Sequence, residues 1–254
     1  MRYKAVLWDV YGTIVRSKYV DITDFIKKKK AMIQSFTKVV KKFDLDIDPE
    51  VLITRLIEGI QKIHAIKKGK GIGYPEVIIE DILAEILNCS KEKAKEIILY
   101  NEMELNNPKL QPGIVEILTF VKNQGIKQGI ISNAQFYTPI TLRFLLKKNK
   151  INSVYDIFNK DLLIFSYKLG IAKPSKFLFE LTKKRLKKHN ITPGQALFIG
   201  NDMLTDVKTA QDSGFKAALF AVHKKSIRYH KKHTKNVKPD FIITHVAQMK
   251  NILT

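Results

Sequence analysis

The residues best suited to chemistry in this chain are single polar groups that each follow a short apolar run. Ala5, Val6, Leu7 and Trp8 lead directly into Asp9, and Gly12 and Thr13 come at once after it. Val, Leu and Trp favour a buried strand, and Gly12 supplies a sharp exit. A carboxylate at the C-terminal lip of a parallel strand sits where open α/β sheets bind ligands. There it serves as a nucleophile or a metal ligand, or it simply caps the turn. The same placement recurs twice. Ser132 and Asn133 follow the apolar run at 128–131, and Asn201 and Asp202 follow the run at 196–199 and Gly200. Strand lips of one parallel sheet share an edge, so these groups converge in space although they are scattered in sequence. Lys173 lies in the loop 170–174 before a helix and can reach the same edge. Three independent matches weaken the turn-cap reading.

These groups need a sheet to hold them, and the pattern supplies one. Apolar runs at 5–8, 128–131, 162–165, 196–199, 215–221 and 241–243 read as strands. Residues 114–121, 139–148, 177–188 and 206–213 read as helices between them. Alternating strands and helices imply an α/β fold, with a Rossmann-like parallel sheet core covered by helices on both faces. Residues 19–103 break the alternation with almost no strand signal. Phe25, Ile26, Met32, Ile33, Phe36, Val39 and Val40 recur at helical spacing. Asp48, Pro49 and Glu50 form a helix start, with Leu52, Ile53, Leu56, Ile57 and Ile60 on one face. Pro75 opens a further helix and Ser90 a fourth. The expected organisation is a core of residues 1–18 and 108–254, with a helical domain of residues 19–107 inserted after the first strand. Segments 13–18 and 105–113 are the expected hinges.

The chain of 254 residues carries 45 Lys and Arg against 24 Asp and Glu, a formal charge of +21. Such an excess favours anionic ligands: phosphorylated metabolites, nucleic acid or acidic lipid. The excess is mostly lysine, a diffuse field rather than a surface that reads bases or phosphates bidentately. A general lysine-rich bias explains it equally well. The stretch 223–238 is the densest basic segment and includes Arg228, Tyr229, His230 and His233; it reads as a solvated linker in preference to a nucleic-acid surface. The single cysteine, Cys89, excludes an intramolecular disulfide and suits a reducing cytosol. No apolar run has the length of a membrane span. The expected setting is cytoplasmic, with a small anionic substrate as partner and no membrane; nothing in the sequence sets the oligomeric state.

Taken as an ordered set, Asp9-Val10-Tyr11-Gly12-Thr13, Ser132-Asn133, Lys173-Pro174 and Gly200-Asn201-Asp202-Met203-Leu204-Thr205-Asp206 resemble the motifs of the haloacid dehalogenase superfamily of hydrolases. The helical insert is similar to that superfamily's cap domain. The resemblance implies catalytic roles for Asp9, Ser132 and Lys173. Asp9 is the nucleophile, forming an acyl-type intermediate that water hydrolyses. Ser132 and the Asn133 backbone hydrogen-bond the transferring group, with Tyr11, Gly12 and Thr13 beside it, and Lys173 offsets its negative charge. Asp9, the Tyr11 carbonyl, Asn201, Asp202 and Asp206 are the implied oxygen ligands of Mg²⁺.

Two departures divide the functional expectation. Phosphatases of the superfamily carry a second aspartate two positions after the nucleophile, as acid and base for the leaving oxygen. Here that position is Tyr11, the form seen in 2-haloacid dehalogenases, whose halide needs no proton. General acid–base help is worth about 10²–10⁴ in rate. The fourth motif points the other way: Asn201, Asp202 and Asp206 follow the metal-binding style, although Asn201 brings no charge. The expectation is a Mg²⁺-dependent hydrolase of a small phosphorylated metabolite. The alternatives are a metal-independent 2-haloacid dehalogenase and a catalytically weak protein that binds anions or nucleic acid.

Overall fold

The computed structural model describes residues 3–17 and 29–253. Phe25, Ile26 and the expected boundary at residues 18 and 19 lie outside the described residues. The strands in chain order are β1 (Ala5–Trp8), β2 (Val15–Arg16), β3 (Lys109–Leu110), β4 (Lys127–Ser132), β5 (Leu163–Phe165), β6 (Ala196–Gly200), β7 (Lys216–Phe220) and β8 (Phe241–Ile243). Six of them form one sheet in the order β5-β4-β1-β6-β7-β8. Every pairing in it is parallel, with Ala5 opposite Lys127 on one side and Ala196 on the other.

β1 therefore lies inside the sheet, and its alternate side chains feed opposite faces. Val6 and Trp8 join one core, with Ile117 and Leu118 of α5 (Ile114–Asn123) and Leu142 and Leu146 of α6 (Tyr137–Lys148). Ala5 and Leu7 join the other, with Leu178, Phe179 and Leu186 of the helix Phe177–Lys187. Strands covered on both faces read as continuous apolar runs, which is why these were legible. The chain runs from β1 to β4 and β5 on one side, then crosses to β6, β7 and β8 on the other. Crevices open at such a reversal, outside the carboxyl ends of the strands.

Among the described residues, four helices stand between β1 and the rest of the sheet: α1 (Lys29–Phe43), α2 (Pro49–Gly69), α3 (Ile79–Leu87) and α4 (Lys91–Tyr100). They share a core of their own that includes Phe36, Val39, Leu52, Ile53, Leu83 and Ile97. Asp48 caps α2 by accepting from the Glu50 and Val51 amides, and Ser90 caps α4 by accepting from the Lys93 amide. A π-helical turn, Asn101–Leu105, extends α4. β2 and β3 pair antiparallel, so part of the chain on each side of the insert is tied to the other.

Pro75 does not open a helix. Its segment is extended and pairs with the loop that precedes Lys173: the Glu76 amide donates to the Gly170 carbonyl and the Ala172 amide to the Tyr74 carbonyl. Helix α3 starts only at Ile79. Here tertiary pairing overrides the helix-start signal of proline. The helix expected from Asp206 also differs, beginning at Met203 as a π-helix that runs to Lys208 before Thr209–Asp212 turns α-helical.

Candidate active site

Asp9 leaves β1 with its amide still bonded to the Ile199 carbonyl, at 2.9 Å, which carries the register of β1 and β6 one residue further. Its side chain is buried. The chain then folds tightly: the amides of Thr13, Ile14 and Val15 all point to the Val10 carbonyl. Gly12 has φ +86°, and a Cβ there would sit 2.5 Å from the Asn201 amide nitrogen. Only glycine satisfies both the left-handed backbone and the approach of Asn201.

Lys173 is the hub. Its ammonium donates to Asp9 Oδ1 at 2.9 Å, to Asp206 Oδ1 at 2.5 Å and to the Ile131 carbonyl at 3.1 Å, which uses all three of its protons. The lysine is 4% exposed. Burial works to lower its pKa, but the charges of Asp206 and Asp9 outweigh this and hold it above the ordinary lysine value. Asn133 fixes the lysine backbone from both sides: its Oδ1 accepts from the Lys173 amide at 2.7 Å and its Nδ2 donates to the Lys173 carbonyl at 3.0 Å. Ser132, buried at the end of β4, donates to the Asn133 carbonyl.

Asp206 packs so closely on Gly200 that no side chain fits there. Its Oδ2 accepts from the Asp202 amide at 3.0 Å. Burial pushes the Asp206 carboxyl up, Lys173 pulls it down, and the charges of Asp9 and Asp202 push it up again. Two carboxylates thus share one ammonium, with the charge of Asp202 acting on Asp206 beside them. Asp202 itself caps the π-helix, its Oδ1 accepting from the Leu204 and Thr205 amides at 2.8 Å. Its Oδ2 lies 2.8 Å from His230 Nε2.

Asp9, Lys173, Asp206, Asp202, Asn201 and Asn133 are therefore brought together, with Ser132 beside them. Tyr11 turns elsewhere: its hydroxyl donates to Glu102 Oε1 at 3.0 Å. Thr13 is fully buried, and its hydroxyl has no hydrogen-bond partner among the described residues. No three His, Cys, Asp or Glu side chains among the described residues form a ready metal cage. The donor set still suits Mg²⁺ in kind. It offers hard oxygens of Asp9, Asp202, Asp206 and Asn201, with Lys173 shared between Asp9 and Asp206.

A cavity of about 380 Å³ opens next to this cluster. Tyr11, Asn133 and Ala172 contribute to it from the core, and Ile57, Ile60 and Leu83 from the insert. Glu102, 4% exposed, reaches it from the π-turn, with Asn106 donating to its Oε2 at 2.7 Å. Glu76 reaches it from the extended segment and accepts from Ser166 at 2.6 Å and Gln135 at 2.9 Å. Burial pushes both carboxyls up, with those hydrogen bonds pulling partly back.

Sequence reasoning missed Glu76, Glu102 and the docking of 226–230. Glu102 left a trace, an acid four residues after Ile98 on the apolar stripe of a helix. The basic stretch is not wholly a solvated linker. Asn201 Nδ2 donates to the Ser226 carbonyl at 2.5 Å, the Arg228 amide to the Asn201 carbonyl at 3.1 Å, and the Met203 amide to the Arg228 carbonyl at 2.8 Å. These bonds lay the segment across the fourth motif. The Arg228 guanidinium is partly buried, which lowers its pKa, while the Asp9 charge favours its cationic form. Lys224, Lys225, Lys231, Lys232 and Lys235 stay exposed.

With this geometry in view, the chain can be set beside known proteins. Glyceraldehyde 3-phosphate phosphatase of Pyrococcus furiosus is 25% identical over 160 residues, 62% of this chain and 60% of that protein. The match thus spans less than two thirds of the relative's length. The solved HAD phosphatase of Thermococcus onnurineus superposes with a TM-score of 0.58 at 21% identity, over 98% of this chain and 97% of the other. The L-2-haloacid dehalogenase of Xanthobacter autotrophicus gives 0.55 at 17% identity, over 99% and 98%. Both structures support the fold. No helix among the described residues is long and apolar enough to cross a membrane. The model of the haloacid dehalogenase-like hydrolases matches residues 3–214, and the chain belongs to that family.

Proposed function

We propose that this hydrolase cleaves phosphate monoesters of small metabolites, with Asp9 as the nucleophile and Mg²⁺ as cofactor. The observation that carries this reading is the pair Asp9 and Asp206 on Lys173 at the lip of β1, with Asp202 bonded to Asp206 through its amide. Hard carboxylate oxygens gathered on one strand edge suit a bound divalent cation. Asp9 attacks phosphorus, and the ester oxygen leaves with the alcohol. Water then attacks the aspartyl phosphate, releases inorganic phosphate and restores the carboxylate. Lys173 orients Asp9 and offsets its repulsion from the incoming phosphoryl oxygens. Ser132 and the Asn133 backbone bind those oxygens. Asp9, the Tyr11 carbonyl and oxygens of Asn201, Asp202 or Asp206 would hold Mg²⁺, which would supply Lewis-acid polarisation of the phosphoryl group. His230 holds Asp202 in place.

The leaving alkoxide needs a proton, and Tyr11 stands where the second aspartate of phosphatases stands. The acid proposed here is Glu102, which touches Tyr11 from the insert and whose carboxyl is pushed towards the protonated form. The insert, residues 19–107, is then a cap that carries a catalytic acid as well as covering the site. The likeness to a phosphatase at the level of sequence favours the same reaction class. The single cysteine is consistent with a cytoplasmic setting.

A second reading, metal-independent dehalogenation, is favoured by Tyr11 itself and by the apolar wall beside it. Purified protein offered phosphate esters and 2-haloacids, each with Mg²⁺ and with chelator, separates the two. Phosphate released only with Mg²⁺ is the expected result; halide released in chelator would replace this reading with the other.

A further inference from the structure

The cavity beside Tyr11 has a composition that selects among phosphate esters. Its walls are largely apolar, with Met32, Leu56, Ile57, Ile60, Leu83 and Ile97 among its lining. At about 380 Å³ it has room for a small organic group. The titratable groups among its described lining are Glu76, Glu102, His64, Tyr11 and Tyr137; no lysine or arginine is among them. His64 is held below the ordinary imidazole value by burial and by Lys68 and Lys67, so it brings little positive charge at neutral pH. Burial pushes the Tyr137 hydroxyl up, so it does not ionise.

Among the described lining this leaves two carboxyl groups facing an apolar space, in a chain whose overall charge is +21. Glu76 is fixed by Ser166, Gln135 and the Val77 amide, and Glu102 by Tyr11 and Asn106. Carboxyl oxygens with spare lone pairs accept from hydroxyl or ammonium groups. A second phosphate or a carboxylate on the substrate would be buried among apolar walls with no lysine or arginine of the described lining to pair with it. The position of the cavity ties it to the reaction. Asn133, which clamps the Lys173 backbone, and Ala172, its chain neighbour, both contribute to its floor.

We infer that this cavity holds the organic half of the substrate, and that this half is apolar, carries hydroxyl or ammonium donors, and carries no second anionic group. The inference rests on the phosphatase reading above and narrows its substrate class. Selectivity here is set by exclusion as much as by attraction: the apolar walls leave a second anionic group uncompensated, although the overall positive field would draw such esters in.

The test is kcat/KM, measured with Mg²⁺, for hexyl phosphate, phosphocholine, phosphoglycolate and acetyl phosphate. The last needs no cavity and no leaving-group proton, so it reports the phosphoryl chemistry alone. Hexyl phosphate and phosphocholine are expected to exceed phosphoglycolate by at least about tenfold. Ile57→Trp, which fills the cavity from α2, is expected to lower the ratio of hexyl phosphate to acetyl phosphate by about tenfold. Turnover of all four esters with phosphoglycolate equal or preferred would overturn the inference and leave the phosphatase reading standing. Release of phosphate from none of them, acetyl phosphate included, would overturn that reading and the inference with it.

Discussion

Two neighbouring regions of this molecule are built on opposite principles. At the lip of β1 an ammonium is locked among carboxylates, each fixed by backbone: Lys173 by Asn133, Asp206 by the Asp202 amide, Asp202 by the start of its π-helix. Beside it, the cavity is walled by aliphatic side chains of the insert and edged by two carboxyls with no ammonium among the described lining. The first region is specified by hydrogen-bond geometry and tolerates almost no change. The second is specified by volume and polarity, which many sequences can supply. The difference separates what decides the reaction from what decides the substrate.

Changes in the ionic region are expected to be the most severe. Asp9→Asn is expected to lower turnover of every ester by about 10⁴-fold or more, measured as steady-state phosphate release, because it removes the nucleophile. Chelation of the divalent ion comes next, at about 10³-fold, since such an ion contributes several kcal/mol to the transition state. Mg²⁺ is also expected to raise the melting temperature of the wild type and of Ile57→Trp alike, because it acts on the core and not on the cavity. Lys173→Met is expected to cost about 10²–10³ in kcat. It also costs up to about 3 kcal/mol in denaturant unfolding, a loss limited by proton uptake at Asp206.

Glu102→Gln joins the two regions and sharpens the comparison. With an alkyl phosphate kcat is expected to fall by about 10²-fold, while acetyl phosphate, whose leaving group needs no proton, is affected far less. Equal losses on both would mean that Glu102 shapes the site without delivering a proton.

The same contrast explains how much was legible in the sequence. The sheet could be read because strands buried on both faces are continuous apolar runs, and β8 falls on the residues expected for it. The caps at Asp48 and Ser90 could be read because they act within a few residues. The grouping of Asp9, Asn133 and Asp202 followed from one rule about strand lips, Lys173 from its loop beside that edge, and Asp206 from the resemblance of the fourth motif alone. Pro75, His230 and Glu102 were not legible in their structural places. Pro75 pairs with Ile171, His230 lies against Asp202 and Glu102 against Tyr11. These contacts join segments 96, 28 and 91 residues apart, and no local pattern encodes them. The basic stretch shows the limit most clearly: its charge was visible, but the backbone bonds that seat it on Asn201 and Met203 depend on side-chain type hardly at all.

The most direct test of the account is whether Asp9 becomes covalently phosphorylated. Wild-type protein with Mg²⁺ and a phosphate ester, quenched within a turnover and reduced with borohydride, should yield a peptide in which Asp9 has become homoserine. Asp9→Asn, and wild type without ester, should yield none. Phosphate release that continues in the wild type with Asp9 unmodified at every quench time would contradict it.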